Sequence, residues 1–179
     1  MEANQHLTQE LEFLKRRIRK LEALAGVREV FSEYSLYADL GQWDKVTALF
    51  SNDATLQITG YGNYAGVNYD GEFVSRDRII KYYDEVTPEV LPKNKHNIIP
   101  KPIQFDDGGE FAFAYLIAYL VGADNQAGGI YEAILERQDN ESWHFLKLRC
   151  VNTSKLSVAD SIVGIEEFSR GLDFGFARP

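Results

Sequence analysis

The chain has 179 residues, of which 45% are hydrophobic and 13% aromatic, and its formal net charge is −8. This length suits one domain with a real core, and the negative charge disfavours nucleic acid and anionic membrane surfaces as partners. One cysteine, Cys150, excludes an intrachain disulfide. The N-terminus lacks the apolar core of a signal peptide, and no run approaches the roughly 20 apolar residues of a membrane span. We therefore expect a cytoplasmic protein.

Residues 7 to 50 are predicted to be helical. In the first part, apolar residues recur at intervals of three and four, which is typical of one helix face. The basic run between them is either a solvated face or part of a helix that packs on a partner subunit. Gly26 is predicted to break the helix. The apolar residues of this first part are Leu11, Leu14, Ile18, Leu21 and Leu24.

A second helix is predicted to end at Asp39, because Gly41 follows as a glycine just past the end. Its apolar face carries Val27, Val30, Phe31, Tyr34 and Tyr37, and a short third helix covers 42 to 50. Residues 54 to 60 alternate as a strand does, and 75 to 85 form a helix with Ser75 as its cap.

Three long strands are predicted over residues 111–121, 128–137 and 143–153, joined by short turns rich in Gly, Asp and Asn. Helices followed by strands favour an α+β fold over parallel βαβ units. The tail from Ser157 is predicted to be either a short helix that closes a pocket or a partly ordered end.

Several motifs in this order resemble the SnoaL-like proteins of the nuclear transport factor 2-like superfamily. They are Tyr37-Ala-Asp-x-Gly-x-Trp-Asp44, Leu49-Phe-x-x-Asp-Ala54, Gly60-Tyr-Gly-Asn-Tyr-Ala-Gly66, His96, and Glu136-Arg-Gln-Asp-Asn-Glu-Ser-Trp143. The resemblance implies a cone-shaped α+β barrel, in which a curved mixed or antiparallel sheet carries the N-terminal helices on its concave face. It divides the chain into a helical extension (1–24), the SnoaL-like domain (25–155) and a tail closing the pocket (156–179).

Within this family, the sequence looks most like the dehydrochlorinase acting on gamma-hexachlorocyclohexane and the scytalone dehydratases. In those enzymes a histidine–aspartate pair acts as base and orienter, and the matching residues here are His96 and Asp39. A histidine that meets a carboxylate becomes a base with a fixed tautomer. The alternatives are a surface histidine for His96 and a loop acid bonding its own backbone for Asp39.

Two departures distinguish the chain from the dehydrochlorinase. Tyr34 replaces a lysine, so a cation that would help chloride leave is missing, and dehalogenation is disfavoured. Leu148 stands where that enzyme has an arginine, and Arg149 follows. A one-residue offset on a strand moves a side chain to the opposite face of the sheet, unless a β-bulge restores the original face. The sequence leaves open whether Leu148 or Arg149 faces the pocket.

Four further residues are candidates for contacting a substrate: Tyr34, Tyr64, Tyr131 and Asn152. The tyrosines could act as acids or hydrogen-bond donors, and Asn152 could orient a carbonyl or hydroxyl group. His144 is predicted to share a strand face with Leu148 and Cys150, in a structural role more often than a functional one. No metal-ligand spacing or phosphate-binding loop is found, so we expect neither a metal nor a cofactor.

The leading hypothesis is a cofactor-independent, dehydratase-like lyase that acts on a small cyclic or aromatic molecule through the His96–Asp39 pair. Double-bond isomerisation, as in ketosteroid isomerases, and retro-aldol cleavage would use the same pair of residues. The rival class is a non-catalytic module that binds a small ligand, and an accessory subunit of a larger enzyme is a third possibility. We expect a homodimer or homotrimer, with no nucleic-acid or membrane partner.

Overall fold

Helix α1 is the longest element of the computed structural model, which describes residues 2–64, 67–86, 95–121 and 126–153. The described elements are α1 (Glu2–Asp39), α2 (Trp43–Ala48), β1 (Phe50–Thr59), β2 (Asn63–Tyr64), β3 (Val67–Asn68), β4 (Gly71–Val74), α3 (Arg76–Val86), β5 (Lys95–Pro100), β6 (Gln104–Phe105), β7 (Phe111–Val121), β8 (Gln126–Arg137) and β9 (Trp143–Asn152). Within these ranges, no helix is long and apolar enough to cross a membrane.

The predicted break at Gly26 is wrong, because α1 continues through this residue without interruption. A Cβ atom placed on Gly26 would lie 2.7 Å from Cδ1 of Trp143. The glycine therefore allows the helix to approach the indole ring closely. The need for close packing accounts for a helix-weakening residue in mid-helix.

The predicted end of α1 at Asp39 is confirmed, and its hydrogen bonds explain it. Gly41 has φ +66°, the left-handed conformation that ends many helices. Its N–H donates to the Ala38 carbonyl at 3.1 Å, and the Gln42 N–H donates to the Tyr37 carbonyl at 2.9 Å. These two bonds form a Schellman motif, so the chain turns sharply just after Asp39.

The long strands form one curved, unclosed sheet of mixed direction, in the order β4-β1-β9-β8-β7-β5, with β6 also paired to β7. β1 runs parallel to β9, and every other described pair in this sheet is antiparallel. The predicted α+β class and its curved sheet are confirmed. β7 has the predicted bounds, whereas β1 begins at Phe50, four residues before the predicted start at Ala54.

The core lies between the inner face of the sheet and the helices, so α1 covers the concave side as expected. Phe31 of α1 packs on Phe145 of β9 with ring centroids 5.5 Å apart, and Phe145 in turn contacts Phe50 at 5.1 Å. Alternate residues of each strand supply the sheet side of this core, which is the pattern of a half-buried strand. Its sheet members include Leu56, Ala112, Leu116, Ala133, Leu135, Leu148 and Cys150.

A β-bulge in β9 changes which side chains face the core. Ile134 of β8 pairs with Lys147 and Leu135 with Phe145, so Leu146 is the extra residue. The alternation of inward- and outward-facing side chains along β9 is reversed at this point. His144 therefore does not share a face with Leu148 and Cys150, and that prediction is wrong. Its ring Nε2 lies 3.2 Å from the Ser142 hydroxyl instead.

Candidate active site

Two elements bring Asp39 and His96 together. Asp39 is the last residue of α1. His96 lies on β5 and pairs with Leu120, in the register that turns His96 and Ile98 to the inner face of the sheet. The Lys95 ammonium group donates to the Asp39 carbonyl oxygen at 3.2 Å and so ties the strand to the helix end. A cation near a helix C-terminus is also favourable to the helix dipole.

The two side chains are in direct contact. Nδ1 of His96 lies 2.7 Å from Oδ1 of Asp39, and the same oxygen accepts the His96 backbone N–H at 2.8 Å. The His96 side chain is 3% exposed and that of Asp39 is 17% exposed. Because an ionised carboxylate only accepts hydrogen bonds, the proton is assigned to Nδ1. Nε2 then carries the lone pair, as a general base requires.

The pKa of His96 is lowered from its ordinary value near 6.5, mainly because burial disfavours the charged imidazolium. The hydrogen bond and the charge of Asp39 act in the opposite direction, and the nearby Lys95 adds to the lowering. The ring is therefore neutral at physiological pH and able to accept a proton.

A group of buried tyrosines lies beside the pair. The Tyr34 ring meets His96 edge-on with centroids 6.2 Å apart, and it meets Tyr131 edge-on at 6.4 Å. The hydroxyl groups of Tyr34 and Tyr83 are 3.0 Å apart. Burial raises the pKa of all three phenols, so each keeps its proton at neutral pH. Neutral phenols can donate hydrogen bonds to an oxygen that gains negative charge.

The sequence did not indicate two members of this group as site residues. Tyr61 follows the β1 strand, and its side chain is hydrogen-bonded to that of Tyr131. Tyr83 was assigned only to the buried side of α3. The one sequence signal was the position of Tyr61 between Gly60 and Gly62. In the structure, both glycines have positive φ angles. Cys150 pairs with Tyr131 across β8 and β9, and burial raises the pKa of its thiol, as expected for an unreactive small side chain.

The remaining predicted residues are spread more widely. Asn152 pairs with Gly129 at the end of β9, three strands from β5 in the sheet order. Tyr64 lies in β2, and its side chain is outside the described part of the structure. The tail from 156 to 179, predicted to close the pocket, also lies outside the described residues.

Leu148, and not Arg149, faces the inner side of the sheet. Leu148 is 1% exposed and belongs to the core on the inner face. Arg149 lies on the outer face, where its Nη1 is 3.6 Å from Oε2 of Glu132. The bulge at Leu146 precedes both residues and leaves Arg149 on the side away from His96.

Among the described residues, no group of three or more His, Cys, Asp or Glu side chains is placed to hold a metal ion.

The pattern of the SnoaL-like domain matches residues 19–149, which is well over half of the chain. The chain belongs to this family. The predicted family is therefore confirmed, and the matched range includes both Asp39 and His96. No curated protein sequence matches the chain.

Solved structures with the same fold are distant in sequence. An NTF2-like protein with a cystatin-like fold from Novosphingobium aromaticivorans has a TM-score of 0.59 and 17% identity over 84% of this chain and 94% of its own. A scytalone dehydratase-like protein from the same organism has a TM-score of 0.57 and 14% identity, covering 76% and 88%. A ketosteroid isomerase-like protein from Erwinia carotovora atroseptica has a TM-score of 0.57 and 14% identity, covering 73% and 96%. These likenesses establish the NTF2-like fold of this SnoaL-like chain.

Proposed function

We propose that this SnoaL-like protein is a cofactor-independent lyase that removes water from a small cyclic or aromatic hydroxy-carbonyl compound, with His96 as its base. The observation that carries the proposal is the 2.7 Å contact between His96 Nδ1 and Asp39 Oδ1 in a buried setting. A carboxylate fixed in this way stabilises the imidazolium that forms when Nε2 takes a proton.

The reaction step is a proton transfer followed by loss of a hydroxyl group. His96 Nε2 removes a proton from the carbon next to the carbonyl group, and the electron pair moves onto the carbonyl oxygen to give an enolate. The enolate then expels the hydroxyl group on the neighbouring carbon, which takes the proton from His96 and leaves as water. The base returns to its neutral form.

The tyrosines beside His96 support the second requirement of this step, which is to stabilise the charge on the enolate oxygen. Tyr34 is the best placed, since its ring contacts both His96 and Tyr131. A phenol whose pKa is raised by burial donates a hydrogen bond without losing its proton. The aromatic side chains beside His96 also favour a ring-shaped substrate over a long or highly charged one.

The test is a panel of cyclic hydroxy-ketones and aromatic alcohols incubated with the wild type in deuterated water. Proton abstraction is followed as deuterium incorporation by NMR, and the mass of the product is measured by mass spectrometry. Apart from any deuterium taken up, dehydration lowers the mass by one water, isomerisation leaves it unchanged, and retro-aldol cleavage gives two smaller carbonyl compounds. The three reactions that share this base are thereby separated.

The His96→Gln variant should lose turnover by about 10²–10⁴-fold and remain folded, since general base catalysis contributes about that much. His144→Gln is the matched control, because His144 lies on the outer side of the sheet beside Ser142. Undiminished turnover by His96→Gln would contradict the proposal. Tight ligand binding by the wild type with neither exchange nor product would favour the binding module.

A further inference from the structure

The first part of α1 carries an apolar stripe that its own domain does not cover. Every residue from Gln5 to Glu22 is exposed. Within this segment, five aliphatic residues alternate at spacings of four and three. They are Leu7 (66% exposed), Leu11 (50%), Leu14 (52%), Ile18 (52%) and Leu21 (62%). We call this set the heptad stripe.

The heptad stripe is distinct from the face by which α1 packs on the sheet. That second face consists of Val27, Val30, Phe31, Tyr34 and Ala38, all of which are buried. At about 100° per residue, the two sets are centred roughly 165° apart around the helix axis. The heptad stripe therefore points away from the side on which the domain lies, and a partner can reach it without meeting the domain of the same chain.

We propose that the heptad stripe pairs with the same stripe of a second copy, in a parallel, in-register, two-stranded coiled coil. The four–three spacing is the seam that left-handed coiled coils require. Leu7, Leu14 and Leu21 then occupy d positions, and Leu11 and Ile18 occupy a positions. Leucine at d with a β-branched residue at a, which is the case at Ile18, favours two strands.

Charges beside the stripe fit the parallel arrangement. With Leu11 at a, the g positions hold Glu10 and Arg17, and the e positions of the next heptads hold Lys15 and Glu22. In a parallel dimer each g residue faces the e residue five positions later on the partner helix. Glu10 then faces the partner copy's lysine 15, and Arg17 faces its glutamate 22. Each contact occurs twice, and all four join opposite charges.

An antiparallel pair has less of this complementarity. In that arrangement e positions face e positions, and g positions face g positions. With Leu14 opposite Ile18, Lys15 and Arg17 approach their own counterparts, and with Leu11 opposite Leu14 only Glu10 and Arg17 join opposite charges. Charges at e and g positions set orientation in this way. The domains do not obstruct the pair, because each domain lies on the far side of its own helix from the seam.

The pairing also accounts for the helical state of this segment. Isolated helices of fewer than about 15 residues are marginal in water, and most helical stability in proteins comes from packing of an apolar face. Here the later half of α1 is already held by the domain, so the helix does not have to nucleate again. Burial of the heptad stripe against a second copy supplies the missing packing.

The first test is the mass in solution of the full chain by light scattering after size exclusion. We expect a dimer of about twice the 20.4 kDa chain mass. The double variant Leu14→Asp with Ile18→Asp should be monomeric with an unchanged near-UV circular dichroism spectrum. Gln9→Asp with Arg16→Asp, at outward-facing positions, is the matched control and should stay dimeric. A monomeric wild type, or a Leu14/Ile18 variant that stays dimeric, would overturn the proposal.

The second test addresses the orientation by exchanging charges. Glu10→Lys with Glu22→Lys makes all four flanking residues basic, and Lys15→Glu with Arg17→Glu makes all four acidic. Each variant alone should be monomeric, and a mixture of the two should form a heterodimer. Self-association of either variant at wild-type strength, or no heterodimer on mixing, would refute the charge pairing.

The third test fixes the register. Leu14→Cys should form a disulfide-linked dimer on mild oxidation, because in-register d positions face each other across the seam. Arg16→Cys, on the outer side, should not. The only native cysteine, Cys150, is buried and does not interfere. Equal cross-linking of the two variants would exclude the in-register parallel pair.

Discussion

Two pairs of an acid and a basic side chain lie on opposite faces of the same sheet, and they differ in how the acid is held. On the inner face, Oδ1 of Asp39 accepts two hydrogen bonds from His96, from the ring at 2.7 Å and from the backbone at 2.8 Å. On the outer face, Glu132 lies 3.6 Å from Arg149, and within the described residues neither of its oxygens accepts a hydrogen bond. Glu132 is 4% exposed.

The difference shows that burial beside a basic side chain does not by itself fix the position and hydrogen bonding of an acid. Desolvation raises the pKa of Glu132 to about 8, and the attraction of Arg149 only partly offsets it. Desolvation also lowers the pKa of His96, but there hydrogen bonds hold the ring in one tautomer. The inner pair thus offers a positioned base, whereas the outer acid mostly keeps its proton at neutral pH.

The largest expected effect comes from Asp39→Asn, which keeps the shape of the side chain but removes its charge. Turnover should fall by on the order of 10²-fold or more, because the imidazolium formed during the reaction loses its stabilising partner. Asp39 raises the pKa of His96, so this variant should lower that pKa further. The acid limb of the pH–rate profile should then move to lower pH.

Asp44→Asn is the matched control for this change, because Asp44 is an exposed acid in the first turn of α2. Its rate and pH profile should equal those of the wild type. An Asp39→Asn variant with full activity, or with its acid limb at higher pH, would remove the distinction between the two pairs.

A second comparison uses the two faces of β9. Leu148→Ala removes a side chain that is 1% exposed on the inner face, and should lower the free energy of unfolding by about 2–5 kcal/mol. Lys147→Ala, at the exposed neighbouring residue, should change it by less than about 0.5 kcal/mol. Urea denaturation of both variants checks this. Equal losses would mean that the bulge at Leu146 does not set the faces as described.

A third, smaller effect concerns Glu132→Gln. Below pH 4.5, the ordinary pKa of a glutamate, Glu132 is protonated in both folded and unfolded chains and contributes no pH dependence. As the pH rises towards 8, the unfolded chain releases the proton and the folded chain keeps it, so the wild type loses stability. The slope from such a group is at most about 1.4 kcal/mol per pH unit.

The measurement is the unfolding free energy of the wild type and of Glu132→Gln at about pH 5 and about pH 8. The advantage of the variant should grow by more than about 1 kcal/mol between the two, because the amide never ionises. Parallel changes in the two proteins would show that Glu132 is ionised in the folded state, like an ordinary paired surface acid.

Much of the fold could be predicted because local signals and packing agree. The glycine after Asp39 predicted the end of α1, and the alternation of β7 predicted its bounds. The family motifs predicted the meeting of Asp39 and His96, which lie 57 residues apart in sequence. Periodicity alone gives no information about contacts at that separation, since it reports only which face of an element is apolar.

The errors have local physical causes. Gly26 predicted a break because glycine weakens helices, but the approach of Trp143 gives it a packing role that no local pattern reveals. The bulge at Leu146 is one residue inserted in a regular strand, and it reversed the face of His144 without a sequence signal. Tyr61 and Tyr83 joined the site through tertiary contacts, so their residue types alone did not distinguish them from core aromatics.

The central claim is that Asp39 holds His96 as a neutral base with its proton on Nδ1. The most direct measurement is a ¹⁵N NMR titration of the histidine rings, in which only His6, His96 and His144 contribute and His96→Gln assigns the signal. We expect an Nδ1–H tautomer for His96 and a pKa below 6.5. An Nε2–H tautomer, or a pKa above 6.5, would contradict it.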